Sequence, residues 1–163
     1  MGAYLAHSQS VPTSETAVIG PETGLPIPRF VSIGVEDARM RTQPSREHTI
    51  AYIYLRVGLP MRVLEEAAEW RYVEDHEGKQ GWMHRSVLSG DRGFRVMTRT
   101  AALYARADIS SPVRAEMAEG VVGRLLSCRE NGWCRARVES NQGRQTGWIR
   151  SSVIWGVLAD EVF

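Results

Sequence analysis

Cysteine is nearly absent from this chain of 163 residues, which contains only Cys128 and Cys134. Their spacing does not fit a Cys-x-x-Cys redox pair, and a zinc site would need two more clustered ligands. Long apolar runs are also lacking, so no transmembrane helix is predicted. The formal net charge is +1, and without a strong basic excess a nucleic-acid-binding protein is not expected.

The motifs of common catalytic sites are missing as well. No two of the four histidines have His-x-x-x-His spacing, and there is no Gly-x-Ser-x-Gly motif or phosphate loop. We therefore predict no catalytic residue, metal or cofactor. An enzyme with an unrecognised site is the remote alternative, because the members of a catalytic triad meet in space and not in sequence.

Residues 1–28 differ in composition from the rest of the chain. They contain four of the seven prolines and show neither helical nor strand periodicity. This pattern predicts a disordered tether, although its end, "LPIPRF", also fits a polyproline II segment that docks on the protein as a self-ligand. The first ten residues lack the basic region and the apolar core of a complete signal peptide.

From Phe30 onward the sequence repeats itself. Trp133 follows Trp70 by 63 residues, and the pairs Gly81-Trp82 and Gly147-Trp148 are 66 residues apart. A period of this length is too long for most solenoid repeats and indicates two complete small domains. We place the first at residues 29–92 and the second at residues 93–163.

Both repeats carry the pattern of β-strands. "WRYVED" and "WCRARVES" alternate apolar and polar residues, and Gly, Asn, Asp and Ser separate such runs. Short strands at close spacing are typical of small barrels. The predicted fold class is all-β, with two consecutive small barrels after the N-terminal segment. The stretch "VRAEMAEG" is too short for a convincing helix and is interpreted as a loop and strand edge.

Several stretches together resemble one known family. "GWMHRSVL" (81–88) and "GWIRSSVI" (147–154) look like the end of a bacterial Src-homology-3 (SH3b) domain, while "ARMRTQPS" (38–45) and "ALYARAD" (102–108) look like its opening strand and turn. The whole resembles small tandem SH3b proteins of Gram-negative envelopes. The resemblance implies two SH3-like partly open barrels and a non-catalytic binding role, often toward peptidoglycan or envelope proteins.

The sequence departs from eukaryotic SH3 domains in the last turn. Where those domains place a proline and a tyrosine, the repeats have His84 with Val87 and Arg150 with Val153. Because the aromatic-lined groove is the main contact surface for polyproline II ligands, binding of PxxP peptides is not predicted.

The two cysteines flank a five-residue loop. If they face each other across an antiparallel hairpin, their Cα atoms lie within disulfide range, and the bond would add about 2 kcal/mol. Buried free thiols and a metal or redox role are the alternatives. At the equivalent positions of the first repeat, subtraction of 63 places Glu65 and Arg71, so we predict that an ion pair replaces the disulfide there.

The large aromatic residues mark equivalent places in the repeats. Trp82 and Trp148 are predicted to pack, whereas Trp70 and Trp133 begin strands beside turns and are candidates for ligand contact. Further candidates on the same strands or nearby are Tyr72, Tyr104 and Arg106, with Tyr52 and Tyr54 as additional groove residues.

Charge divides unevenly between the repeats, with −1 for residues 30–92 and +3 for residues 93–163. Almost every basic residue is arginine, which suits carboxylate recognition, so the second repeat is favoured for an anionic ligand. We predict a periplasmic or secreted protein that binds peptidoglycan or its stem peptides. The alternative is an adaptor that docks on an envelope or host protein. The sequence does not determine the oligomeric state.

Overall fold

The computed structural model describes residues 18–163, and nearly all of their regular structure is β. Two short strands come first, β1 (Val18–Ile19) and β2 (Pro26–Ile27). The first repeat then contains seven strands, β3 (Arg29–Ile33), β4 (Ala38–Arg41), β5 (Ile50–Tyr54), β6 (Pro60–Ala67), β7 (Trp70–Glu74), β8 (Gln80–His84) and β9 (Leu88–Ser89).

The second repeat contains the same seven strands, β10 (Gly93–Val96), β11 (Thr100–Tyr104), β12 (Val113–Ala118), β13 (Val122–Cys128), β14 (Trp133–Ser140), β15 (Gly143–Arg150) and β16 (Ile154–Trp155). A single 3₁₀ turn precedes the last strand of each repeat, at Arg85–Val87 and Ser151–Val153. The predicted all-β fold of two SH3-like units is confirmed. The stretch "VRAEMAEG" forms strand β12 and the turn after it.

Each repeat folds into one seven-stranded antiparallel sheet of identical topology. The strand order is β5-β4-β8-β7-β6-β3-β9 in the first and β12-β11-β15-β14-β13-β10-β16 in the second. Gly58 and Gly120 lie just before equivalent strands, and both have φ near +85°. Glycine adopts this left-handed conformation without the steric cost that a side chain would add, which accounts for its recurrence there.

The side chains on one face of each sheet form its core. Along β7, alternate residues are buried, and the same alternation runs from Cys134 to Val138 in β14. Met40 of the first repeat and Leu103 of the second are both fully buried. The two cores are separate clusters, one around Met61 and Met83 and the other around Phe94 and Ile149.

Cys128 and Cys134 form the predicted disulfide. They are directly opposite each other on β13 and β14, their Cα atoms are 4.1 Å apart, and both side chains lie in the core. Facing positions on an antiparallel pair bring the two thiols together without backbone movement, which is the geometry a disulfide needs.

The ion pair predicted between Glu65 and Arg71 is wrong by one residue. Glu65 is paired with Tyr72, and Glu66 is the residue opposite Arg71. The hairpin turn of the second repeat is one residue longer, so Cys128 follows Glu66 by 62 residues while Cys134 follows Arg71 by 63. Glu66 and Arg71 do form a buried ion pair, with Nε and Oε1 3.8 Å apart.

Part of the segment predicted as a tether, residues 18–28, is described by the structure and contains two short strands. Residues 18–27 form a small hairpin in which Val18 pairs with Ile27 and Ile19 with Pro26. Glu66 holds the hairpin turn to the first barrel, because its carboxylate accepts hydrogen bonds from the amides of Glu22 and Thr23 at 2.9 and 3.0 Å. The remainder of the predicted tether, residues 1–17, lies outside the described residues.

The two barrels are in direct contact. Phe30 of the first packs edge-on against Trp155 of the second, with ring centroids 5.1 Å apart, and the Arg62 guanidinium lies 5.1 Å from the Trp155 ring. Val122 packs against the core of the first barrel. These contacts fix the second barrel against β3 and β6 of the first and leave a cleft between them.

Candidate binding site

An aromatic cluster covers the outer face of β7 and β8 in the first barrel. Trp70 is opposite His84, with ring centroids 5.2 Å apart, and Tyr72 is opposite Trp82 at the same distance. Because side chains alternate along β7 and β8, the residues between these aromatics are buried and the aromatics lie on the opposite, outer side. We call Trp70, Tyr72, Trp82 and His84 the first aromatic face.

The same register in the second barrel produces a related cluster. Trp133 is opposite Arg150, and Tyr104 is opposite Trp148 on the neighbouring strand pair. Tyr104 and Trp133 meet edge to face, with ring centroids 5.6 Å apart. We call Tyr104, Trp133, Trp148 and Arg150 the second aromatic face.

The two faces differ in charge. In the second, the guanidinium of Arg150 lies 5.0 Å from the centre of the Trp133 ring, and that of Arg129 lies 4.1 Å from the Trp148 ring. Such cation–π contacts keep arginines over the tryptophans. In the first face, His84 takes the position of Arg150. The second face therefore offers guanidinium groups to an anion, and the first offers mainly aromatic surface.

Four of the five predicted ligand-binding residues lie in these two faces, two in each barrel. Trp70 and Tyr72 share the first aromatic face, and Tyr104 and Trp133 share the second. Trp133 is only 6% exposed, so its ring supports this face more than it offers free surface. Arg106 is exposed, but it lies in the turn after β11, where its amide donates to the Ser111 hydroxyl at 3.1 Å.

Trp82 and Trp148, which the sequence assigns to packing, belong to these faces. Both are half-buried, and each packs against a neighbouring side chain, Tyr72 in one case and Arg129 in the other. Their place follows from the register, since Trp82 is opposite Arg41 and Trp148 is opposite Tyr104. Sequence alone does not show on which side of a strand a lone tryptophan lies.

Tyr52 and Tyr54 make their contacts elsewhere, at the turn between β7 and β8. The Tyr54 hydroxyl donates to Asp75 Oδ2 at 2.9 Å, and the Lys79 ammonium lies 5.2 Å from the centre of the Tyr52 ring. Burial, together with the hydrogen bond and negative charge of Asp75, raises the pKa of Tyr54 well above its ordinary value. Tyr54 therefore stays a neutral donor that ties edge strand β5 to this turn.

Within residues 18–163, no three His, Cys, Asp or Glu side chains cluster closely enough to hold a metal ion. No helix in this part of the chain is long and apolar enough to cross a membrane.

One comparison with known proteins agrees with the repeated fold. The family described as bacterial SH3 domain matches twice, at residues 34–90 and 98–156. No curated protein matches the sequence. Among solved structures, those of NlpC2 and NlpC1 from Trichomonas vaginalis are each 10% identical, with TM-scores of 0.35 and 0.34. The matches cover 78% and 83% of this chain, and this chain spans about half of theirs, 48% in each case.

Proposed function

Because the chain belongs to the bacterial SH3 domain family, whose members are typically binding modules, we propose that it binds peptidoglycan stem peptides without catalysing a reaction. The observation that carries this proposal is the recurrence of an aromatic face at the same register of both barrels. Aromatic rings supply large contact area at a low cost in side-chain entropy, and nearby arginines suit the carboxylates of stem peptides.

Two modules in one chain raise the overall affinity for a polymer. Once one face is bound, the other meets its ligand at a high local concentration, provided that the ligand repeats along the polymer. Peptidoglycan has such repeats. A periplasmic or secreted location goes with this proposal, and the disulfide between Cys128 and Cys134 supports it, since such bonds persist in oxidising compartments.

Co-sedimentation with purified peptidoglycan at low salt tests the proposal. We expect the wild-type protein to pellet, and Tyr72→Ala to pellet at least fivefold less, because the variant removes half of the Tyr72–Trp82 pair. Tyr52→Ala is the matched control, since Tyr52 is 40% exposed and contacts Lys79 away from the faces. Wild-type protein that stays in the supernatant, or equal losses for the two variants, would contradict wall binding through this face.

A second candidate, an adaptor for an envelope or host protein, is favoured by the composition of β5. This strand forms one edge of the first sheet, and apolar side chains there are exposed, including Ile53 at 52% and Leu55, just after it, at 71%. The equivalent edge strand β12 carries Arg114 and Glu116, which discourage pairing with another chain. β5 lacks such charges and is open to strand addition.

The adaptor hypothesis is tested with one substitution on each edge. Ile53→Lys places a charge on β5, and Val113→Lys, at a residue 50% exposed on β12, is the matched control. If the protein is an adaptor, affinity capture from an envelope extract should yield a stoichiometric partner. The wild type and Val113→Lys should capture this partner, and Ile53→Lys should not. If both variants capture the same proteins as the wild type, β5 is not the docking strand.

A further inference from the structure

The cleft between the barrels has a volume of about 380 Å³, which lies at the lower end of the range for small-molecule sites. Its walls come from both repeats and include the apolar side chains of Ile33, Val57 and Val122. Five arginines and only two acidic residues, Asp91 and Glu139, line it.

Three of the five arginines have acidic partners. Ion pairs with nitrogen–oxygen distances of 2.7 Å join Arg92 to Glu161, Arg124 to Asp91 and Arg144 to Glu139. Arg56 and Arg137 form no ion pair with any acidic residue of the described part of the chain. The cleft therefore has an excess of positive charge that the protein does not balance locally.

Arg137 occupies an electrostatically unfavourable position. It is directly opposite Arg124 in the β13–β14 ladder, and like charges at facing positions destabilise a sheet. Its Nε is buried, and within residues 18–163 no hydrogen-bond acceptor meets it. A buried donor without a partner costs free energy, so the described part of the protein leaves this guanidinium uncompensated.

The first repeat has a carboxylate at the position equivalent to Arg137. There the equivalent pair is Arg62 and Glu74, which are opposite each other, and Arg62 Nε donates to Glu74 Oε2 at 3.0 Å. The second repeat keeps the arginine, as Arg124, and replaces the glutamate with Arg137. One repeat thus supplies the carboxylate from its own strand, and the other presents two guanidinium groups with no carboxylate between them.

We propose that the cleft binds the terminal carboxylate of a short peptide, with the anion accepting from Arg137 and lying where Glu74 lies in the first repeat. The apolar side chains of Val57 and Val122 contact the small aliphatic residues that precede it. Arg56 adds a second guanidinium from the first barrel. This site is separate from the aromatic faces, and it stands whether or not those faces bind peptidoglycan.

The test measures binding of N-acetyl-Ala-Ala to the full chain by calorimetry or by NMR titration. We expect Arg137→Glu to weaken binding at least tenfold, since the new carboxylate fills the site and pairs with Arg124. Arg137→Gln, which removes the charge alone, should also weaken it at least tenfold. Arg99→Glu, the same charge change at an exposed residue before β11, should stay within twofold of the wild type.

Two further ligands test whether the cleft recognises a peptide carboxylate specifically. The C-terminal amide of the same dipeptide should bind at least tenfold more weakly than the acid, and inorganic phosphate should not compete at equal concentration. Overturning results are a wild-type protein that does not bind the acid, equal binding of acid and amide, equal binding of phosphate, or unchanged affinity in both Arg137 variants. Since peptidoglycan is absent from these titrations, failure here is distinct from failure of wall binding.

Discussion

The carboxylate of Glu66 is the contact point between the N-terminal hairpin and the first barrel. It accepts from the Thr23 hydroxyl at 2.6 Å and from Arg29 Nη2 at 2.8 Å, in addition to the two turn amides. Its side chain is completely shielded from solvent. A residue that the second repeat replaces with half of a disulfide thus serves as a polar junction in the first.

The ionisation of Glu66 links this junction to pH. Burial favours the neutral acid, but the hydrogen bonds from Thr23, Glu22 and Arg29 outweigh it and lower the pKa to about 2. Because the folded-state pKa is below the unfolded value of 4.5, the stabilisation is complete above pH 4.5 and is lost as the pH falls toward 2.

We expect Glu66→Gln to remove part of this acid sensitivity. The variant should be less stable than the wild type near neutral pH, by about 2 kcal/mol, because charge-assisted hydrogen bonds become neutral ones. The difference should shrink between pH 4.5 and 2. Denaturant unfolding at several pH values measures it, and Glu65→Gln, at the exposed neighbouring residue, is the control. A pH-independent difference would show that the charge of Glu66 is not what stabilises the hairpin.

At the scale of elements, the equivalent hairpins β6–β7 and β13–β14 are held together by different bonds at the same cross-strand position. The second has a covalent link in its core, and the first has Glu66 with Arg71, whose guanidinium also donates to the carbonyl oxygens of Ala68 and Trp70 at 2.8 Å. Chain entropy gives the short disulfide loop a stabilisation of about 2 kcal/mol. The second barrel is therefore the one that depends on the redox state.

The double variant Cys128→Ser with Cys134→Ser should unfold at a lower temperature than the oxidised protein, and reductant should have no further effect on it. The wild type in reductant should approach the variant's transition. Hydrogen exchange then locates the change, with faster exchange expected in β13 and β14 and little change in β6 and β7. Equal thermal unfolding of wild type and variant, or equal loss of protection in both barrels, would contradict the prediction.

Particular residues show what the sequence could and could not establish about these elements. The Gly-Trp landmarks predicted two equivalent barrels, and their glycines recur because an added Cβ would lie 2.8 Å from the Arg41 carbonyl oxygen at Gly81 and 2.5 Å from the Tyr104 carbonyl oxygen at Gly147. The sequence assigned Glu65 to the ion pair in place of Glu66, because the hairpin turns of the two repeats differ by one residue. A constant offset between landmarks does not detect such a difference in length. The Arg124–Arg137 pair was missed because its members lie on different strands, and only the register reveals that they are opposite.

At the scale of the whole molecule, the interface between the barrels decides whether the cleft exists as a fixed site. Gly93, at the start of β10, approaches the backbone of the first barrel so closely that a Cβ added there would lie 1.9 Å from the Gly58 carbonyl oxygen. A backbone atom cannot rotate away as a flexible side chain can, so the two barrels meet at this distance only because residue 93 has no side chain.

Gly93→Ala should therefore displace the second barrel from the first. We expect overpacking to cost about 1–3 kcal/mol. The gap that opens should also weaken binding of N-acetyl-Ala-Ala, because Arg56 and Arg137 are contributed by different barrels. Gly90→Ala is the matched control, three residues away in the same connection, where an added Cβ meets nothing within 4 Å.

Thermal unfolding and small-angle X-ray scattering distinguish the two substitutions. Gly93→Ala should lower the unfolding temperature and increase the radius of gyration, because the Phe30–Trp155 contact lies beside the displaced strand. Gly90→Ala should match the wild type in both measurements. If Gly93→Ala keeps the wild-type scattering curve, the barrels are held together by contacts other than this backbone approach, and the cleft is formed without it.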